Sequence, residues 1–305
     1  MNEKESITLI IDNEIMYEIS TRYKDYKVEN KNEYIVFFAK YKKMTISIYK
    51  NKKFGLRATF MGEDAIKEAK QFDGVDVKIA NKKRKAITKS NWINLNDQIG
   101  SDEVGTGDFF GPVCVCASYI KKEDIPYLKE IGVDDSKRLD DEKIKELGKI
   151  LINKFPYSQV SLDNEKYNIL HEKGINLNEM KAKMHNQVLL NLKNKFNVGN
   201  VFVDEFAKEE TYYRYLNSTE NVVKNITFKT KGESYYPSVA VSSIIARYSF
   251  LTKMEKLSEK YKMKIPFGAS SKVDEFAKKF IKRYGLDELN KIVKKNFANY
   301  KKITE

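Results

Sequence analysis

The chain has 305 residues, 41% hydrophobic and 12% aromatic, enough for a packed core and longer than one average domain. Lysine and arginine number 56 against 43 acids, a formal charge of +13 that favours a polyanionic partner, most often nucleic acid. Two cysteines, Cys114 and Cys116, and two histidines, His171 and His185, exclude a disulfide framework, a four-cysteine zinc site and a His-rich metal centre, so any metal must be held by carboxylates and be a hard ion such as Mg2+ or Mn2+.

Residues 1–71 read as a small α+β unit. ITLII (7–11) is a short strand, and Asn13 to Tyr26 carries Ile15, Met16, Ile19 and Tyr23 at helical spacing. EYIVFFAKY (33–41), MTISIYK (44–50) and FGLRATF (54–60) are β-branched and aromatic with short connections, as in an antiparallel sheet. In the second of these, Met44, Ile46 and Ile48 alternate with Thr45, Ser47 and Tyr49, giving one apolar and one polar face. EDAIKEAKQF (63–72) predicts a helix over the apolar face. No acid falls between Glu33 and Glu63, where Lys40, Lys42, Lys43, Lys50, Lys52, Lys53 and Arg57 lie. A second acid-free block, between Asp76 and Asp97, holds Lys78, Lys82, Lys83, Arg84, Lys85 and Lys89. Such blocks repel themselves unless a counter-surface is present. The expected division is 1–75 as a substrate-binding α+β domain, 76–92 as a basic linker, and 93–305 as a catalytic domain.

From 93 onward strands and helices alternate. GPVCVCASYI (111–120), NVFVDEF (200–206) and NVVKNITFK (221–229) predict strands; Leu177 to Phe196 and Ser238 to Lys262 predict helices, and 272–305 further helices. That pattern is α/β. No apolar run approaches the ~20 residues of a membrane span, and MNEKESITLIID lacks the pattern of a secretory signal, so the expected location is the cytoplasm, with no membrane partner.

The segment IGSDEVGTGDFFGPV (99–113) concentrates the chemistry. Asp102 and Glu103 are adjacent acids among Gly100, Gly105, Gly107 and Gly111. Neighbouring strand residues face opposite ways, so both reach one ion only if one side chain bends round or the backbone contributes. A polar Gly-rich hairpin turn is the plain alternative. Asp204, after three apolar residues of VFVDEF, fits the C-terminal end of a buried strand, where α/β active sites lie, or a helix cap. Glu233 precedes the long helix, where an acid could simply complement the helix dipole. Together the four suggest carboxylates for two divalent ions, which phosphodiester hydrolysis places ~3.5–4 Å apart. Cys114 and Cys116 read as packed thiols, His185 as a structural helix residue, Tyr212, Tyr213, Tyr235 and Tyr236 chiefly as packing, and Trp92 as an anchor for the start of the catalytic domain.

GSDEVGTGDFFGPV, DDSKRL (134–139), NLNEMKAKMHN (176–186), VFVDEF and KGESYYPSVAVSSIIARY (231–248) resemble the ribonuclease HIII branch of the type 2 ribonucleases H. The resemblance runs over about 95–250. It implies a ribonuclease H-like mixed sheet flanked by helices, preceded by a TATA-binding-protein-like domain. It implies Asp102, Glu103, Asp204 and Glu233 as catalytic metal ligands for Mg2+ or Mn2+. It further implies that Gly105, Thr106 and Gly107 read the RNA 2'-hydroxyl and that Ser136 and Lys137 lie near substrate phosphates. The implied activity is cleavage of the RNA strand of an RNA–DNA hybrid, leaving a 5'-phosphate and a 3'-hydroxyl; no protein partner is implied, and a monomer is expected. The ribonuclease HII branch has arginine where Thr106 stands and Asp where Glu233 stands, so a preference for lone embedded ribonucleotides stays open, as does a nucleic-acid binder with purely structural acids.

Overall fold

A computed structural model describes residues 6–30, 32–51, 55–72, 75–76, 92–133 and 139–305. The chain divides into two compact units, Met1–Thr88 and Lys89–Glu305. The expected linker, apart from Asp76 and Trp92, lies outside the described residues, as do Ser136 and Lys137.

In the first unit β1 (Ser6–Ile11), β2 (Ile35–Tyr41), β3 (Met44–Asn51), β4 (Gly55–Gly62) and β5 (Val75–Asp76) form an antiparallel sheet of order β2-β3-β4-β1-β5. Helices α1 (Asn13–Arg22) and α2 (Ala65–Ala69) close one face, burying Leu9, Ile19, Ile46, Ile48, Ala58 and Phe60. The helix predicted over 13–26 stops at Arg22; Lys24–Tyr26 continues as a 3-10 turn with no buried side chain to hold it. The helix predicted over 63–72 is shorter too, because Asp64 adopts a left-handed backbone at its start. On the other face Thr8, Phe38 and Thr59 stand at one level of the register, each half-buried, with Thr8 and Thr59 sharing a 2.9 Å hydroxyl contact.

The second unit is built on a mixed sheet of order β10-β9-β6-β7-β8. Its strands are β6 (Gln98–Val104), β7 (Val113–Ile120), β8 (Tyr157–Leu162), β9 (Asn200–Asp204) and β10 (Ile226–Lys229). Strands β6, β9 and β10 are parallel; β7 and β8 run antiparallel to their neighbours. Only Ile226–Lys229 of the strand predicted over 221–229 forms, since Asn225 is left-handed and breaks it. Around the sheet lie α3 (Ile125–Glu130), α4 (Asp141–Lys154), α5 (Asn164–Glu172), α6 (Leu177–Lys193), α7 (Glu209–Tyr215), α8 (Pro237–Lys260), α9 (Ser271–Tyr284), α10 (Leu286–Asn290) and α11 (Ala298–Thr304). One face packs Ile99, Val115 and Val203 against α6 and α7. The opposite face packs Cys116 and Ile120 against α4 and α8. Helices α9 and α10 close a third cluster around Phe109, Phe110 and Phe250. Gly100 allows the close contact between β6 and α8: a Cβ there would stand 2.3 Å from the Ser238 hydroxyl and 2.6 Å from the Val239 nitrogen.

Candidate active site

Asp102 and Glu103 are strand residues, not turn residues, and β6 sends them to opposite faces. Asp102 shares the α8 face with Gly100. It is buried, receives a hydrogen bond from Ser243 of α8, and accepts the Glu103 amide at 2.7 Å. Burial, then the neighbouring Glu103 and Asp204 carboxylates, push its pKa well above the ordinary aspartate range.

Glu103 points to the α6 face. There Lys181 Nζ donates to Oε1 at 2.9 Å and His185 Nε2 lies 2.9 Å from Oε2. Burial pushes this carboxyl up, but the hydrogen bond and charge of His185 and then Lys181 outweigh it, and its pKa sits below the usual value. Lys181 and His185 are one helical turn apart and so share a face. Lys181 lies over the Phe206 ring at 4.1 Å, His185 stacks on the same ring at 5.0 Å, and His185 Nδ1 contacts Ser101 Oγ at 2.8 Å. The histidine is 0% exposed among these contacts.

Asp204 ends β9. Ser101 pairs with Val203 in the parallel ladder, so Asp102 and Asp204 follow side by side at the C-terminal ends of adjoining strands. Asp204 caps no helix: α7 begins after Lys208, and Asp204 Oδ1 instead accepts the Gly232 amide at 2.8 Å. That bond draws the 3-10 turn Gly232–Ser234, and Glu233 with it, against the end of β9. Glu233 therefore stands outside the first turn of α8, and its carbonyl accepts Trp92 Nε1 at 3.3 Å. The anchoring role expected of Trp92 thus reaches the site itself.

The other expected residues separate. Gly105 is left-handed at φ +95, and a Cβ there would lie 2.2 Å from the Pro112 carbonyl, so the fold itself requires this glycine. Gly107 is exposed and a Cβ there would meet nothing within 4 Å; Thr106 between them is half-buried. Cys114 and Cys116 are buried free thiols. Tyr212 is fully buried, and Tyr236 stacks on Phe202 at 3.8 Å, so both are packing residues. Lys181 was not singled out by sequence reasoning; its four-residue spacing from His185 was the available signal.

Four carboxylates and no sulfur make a donor set suited to Mg2+ or Mn2+. Among the described residues, no three His, Cys, Asp or Glu side chains are gathered tightly enough to hold an ion. Glu103 stands apart from the other three, engaged by Lys181 and His185 on the far face of the strand.

The ribonuclease HII family profile matches residues 99–300, and a profile described only as a domain of unknown function matches 6–85. A ribonuclease HIII of Staphylococcus aureus (strain Newman) is 41% identical over 270 residues, 87% of this chain and 86% of that protein. The crystal structure of Bst-RNase HIII in complex with Mn2+ is similar at a TM-score of 0.66 and 31% identity, covering 98% of each chain. Ribonuclease H2 from Pyrococcus horikoshii OT3 shares the fold at a TM-score of 0.57 and 24% identity, over 68% of this chain and 96% of that one.

Proposed function

The chain belongs to the ribonuclease HIII family, and we propose that Asp102, Glu103, Asp204 and Glu233 are the carboxylates through which it performs that family's reaction. It is an endoribonuclease that cleaves the RNA strand of RNA–DNA hybrids, and its cofactor is a divalent ion, Mg2+ or Mn2+. The observation that supports the residue assignment best is the placement of Asp102 beside Asp204 on adjoining strands, where the Asp204 carboxylate disfavours ionisation of Asp102. A cation held by these two residues would relieve that repulsion.

When bound, the ions supply an activated water and stabilise the leaving oxygen. The chain's own residues do the rest. Ser243 and the Glu103 amide fix the Asp102 carboxylate. The Gly232 amide fixes Asp204, and the same turn presents Glu233. Lys181 and His185 keep Glu103 ionised and ready to serve as a ligand once it turns from them. Cleavage leaves a 5'-phosphate and a 3'-hydroxyl. Gly105, Thr106 and Gly107 contact the ribose 2'-hydroxyl; the open space at Gly107 gives a sugar room to approach. Ser136 and Lys137 are assigned to substrate phosphates on the resemblance of their string alone.

The same reading makes the enzyme a cytoplasmic monomer. No helix among the described residues is long and apolar enough to cross a membrane. The first unit binds the same class of duplex through basic residues such as Lys40 and Arg57. Each neutralised phosphate contributes roughly 0.9 to the salt slope of log affinity. Lys40→Gln with Arg57→Gln should therefore weaken hybrid binding and flatten that slope by up to about 1.8; an unchanged slope would make these residues a solvated surface only.

Incubation of a labelled hybrid with the protein and Mg2+ or Mn2+ tests the whole reading. The RNA strand should be cut, and a chelator should stop the reaction. Binding without cleavage under either metal would instead leave a nucleic-acid-binding protein whose acids are structural.

A further inference from the structure

The turn after the β6 acids is fastened from the far end of the chain. Phe110 bridges antiparallel to Val293, the Phe109 carbonyl accepts the Lys294 amide at 2.9 Å, and the Gly111 amide donates to the Ile292 carbonyl at 3.0 Å. The Lys294 side chain runs into this seam and is 0% exposed. Its Nζ donates to the Asp108 carbonyl at 2.7 Å and to the Gly111 carbonyl at 2.6 Å.

Lysine is among the residues least often buried, and a buried ammonium is costly without partners. Among the described residues no carboxylate oxygen forms an ion pair with Lys294, so this charge is spent on two backbone carbonyls. Burial lowers its pKa to about 8, with Asp108 and Cys114 acting the other way, so the group is largely ammonium at neutral pH.

Those two carbonyls bracket the exit of the turn. Asp108 is held twice, by Lys294 at its carbonyl and by the Gly268 amide on Oδ1 at 2.6 Å. The Gly111 carbonyl also accepts Asn164 Nδ2 at 2.9 Å. At the entry, Gly105 is fixed by its left-handed backbone and its contact with Pro112. The turn between is thus pinned at both ends, and at Gly107 it faces open space.

We propose that Lys294 is a positioning residue for ribose recognition: by holding the Asp108 and Gly111 carbonyls it keeps the Gly105-Thr106-Gly107 turn in the shape that admits an RNA strand. This rests on the reading of that turn as the contact to the 2'-hydroxyl. Lys294 touches neither the acids nor the substrate. Its loss should change which duplex is preferred and leave general phosphate affinity alone.

The test compares binding of an RNA–DNA hybrid and a DNA duplex of the same sequence, at one salt concentration, with chelator present so that nothing is cut. Lys294→Met keeps the length and removes the donors. It should lower the preference for hybrid about tenfold, with DNA affinity unchanged and a cooperative melt retained. Asn164→Ala, which removes the other donor to Gly111, should lower it about threefold and carries the test if Lys294→Met does not fold. An unchanged preference in the folded variants, or equal losses on both duplexes, overturns the proposal. Gly107→Val separates the causes, because the added side chain has room in the fold but stands where the sugar would approach. If it abolishes the preference while the Lys294 and Asn164 variants do not, Lys294 is not the positioning residue. If it too has no effect, the reading of the turn is wrong and the proposal falls with it.

Discussion

The two faces of strand β6 treat neighbouring acids in opposite ways. On the α8 face, Asp102 is buried next to Asp204, and burial, then the charges of Glu103 behind it and of Asp204, raise its pKa. On the α6 face, Glu103 is slightly more open, its side chain 11% exposed, and His185 and Lys181 bring its pKa down. Both contrasts follow from one backbone property, the alternation of side chains along a strand. The difference separates two tasks that a metal site needs: a place where negative charge is crowded and calls for a cation, and a carboxylate kept ionised while no cation is there.

The largest break in this comparison comes from Asp102→Asn. It removes a charge at the crowded face that no nearby group replaces, so hybrid cleavage should fall by orders of magnitude while hybrid binding persists. A variant that keeps more than about a tenth of the parent rate would show that Asp102 is not a metal ligand; for scale, tenfold is about 1.4 kcal/mol in the barrier.

The next largest effect belongs to the other face. Lys181→Met leaves Glu103 buried with His185 alone, and stripping one partner from a buried pair costs about 3–5 kcal/mol. Chemical denaturation without metal should show a loss near the lower end, because His185 remains. Saturating Mn2+ should recover part of it by binding only the folded state. A loss that metal does not touch would mean that Glu103 never turns toward an ion.

A smaller effect is expected beyond the strand. Thr106 offers one hydroxyl where an arginine would offer five donors in a fixed fork. Cleavage within an RNA tract should therefore be efficient with Mg2+, and cleavage at a lone ribonucleotide in duplex DNA poor. Equal rates on the two substrates would remove Thr106 from the specificity reading.

What was legible in the sequence was local. Met44, Ile46 and Ile48 marked a strand by alternation, and all three are buried in β3. Asp102 and Glu103 stood out among glycines, Asp204 after an apolar run, and Glu233 ahead of a long helix. Strand β8 was missed because YSQVSL is an edge strand with one fully buried residue, Leu162, and no apolar alternation. Helix α4 was passed over although Ile144, Leu147 and Leu151 are spaced for one buried stripe. The partners of Glu103 lie 78 and 82 residues away, and those of the Lys294 ammonium 183 and 186. No local pattern encodes which lysine of a lysine-rich chain will be buried. Nor does the sequence separate the glycines around the acids: Gly100 and Gly105 are demanded by packing, and of the turn's two glycines Gly107 is the one that leaves open space.

The most direct measurement is calorimetric Mn2+ binding at several pH values, comparing the parent chain with Asp102→Asn and Glu103→Gln. In the metal-free protein Asp102 keeps its proton to higher pH than an ordinary aspartate, and an ion binds only the ionised carboxylate, so binding must expel that proton. Apparent affinity should rise with pH below the elevated pKa, by up to about tenfold per unit for one displaced proton, and level off above it. Glu103 is already ionised there, so Glu103→Gln should weaken binding but keep a slope, moved to lower pH because the Glu103 charge helps to raise the Asp102 pKa. Asp102→Asn should lose both the affinity and the slope. Undiminished, pH-dependent Mn2+ binding by Asp102→Asn would contradict the placement of the metal centre on the α8 face.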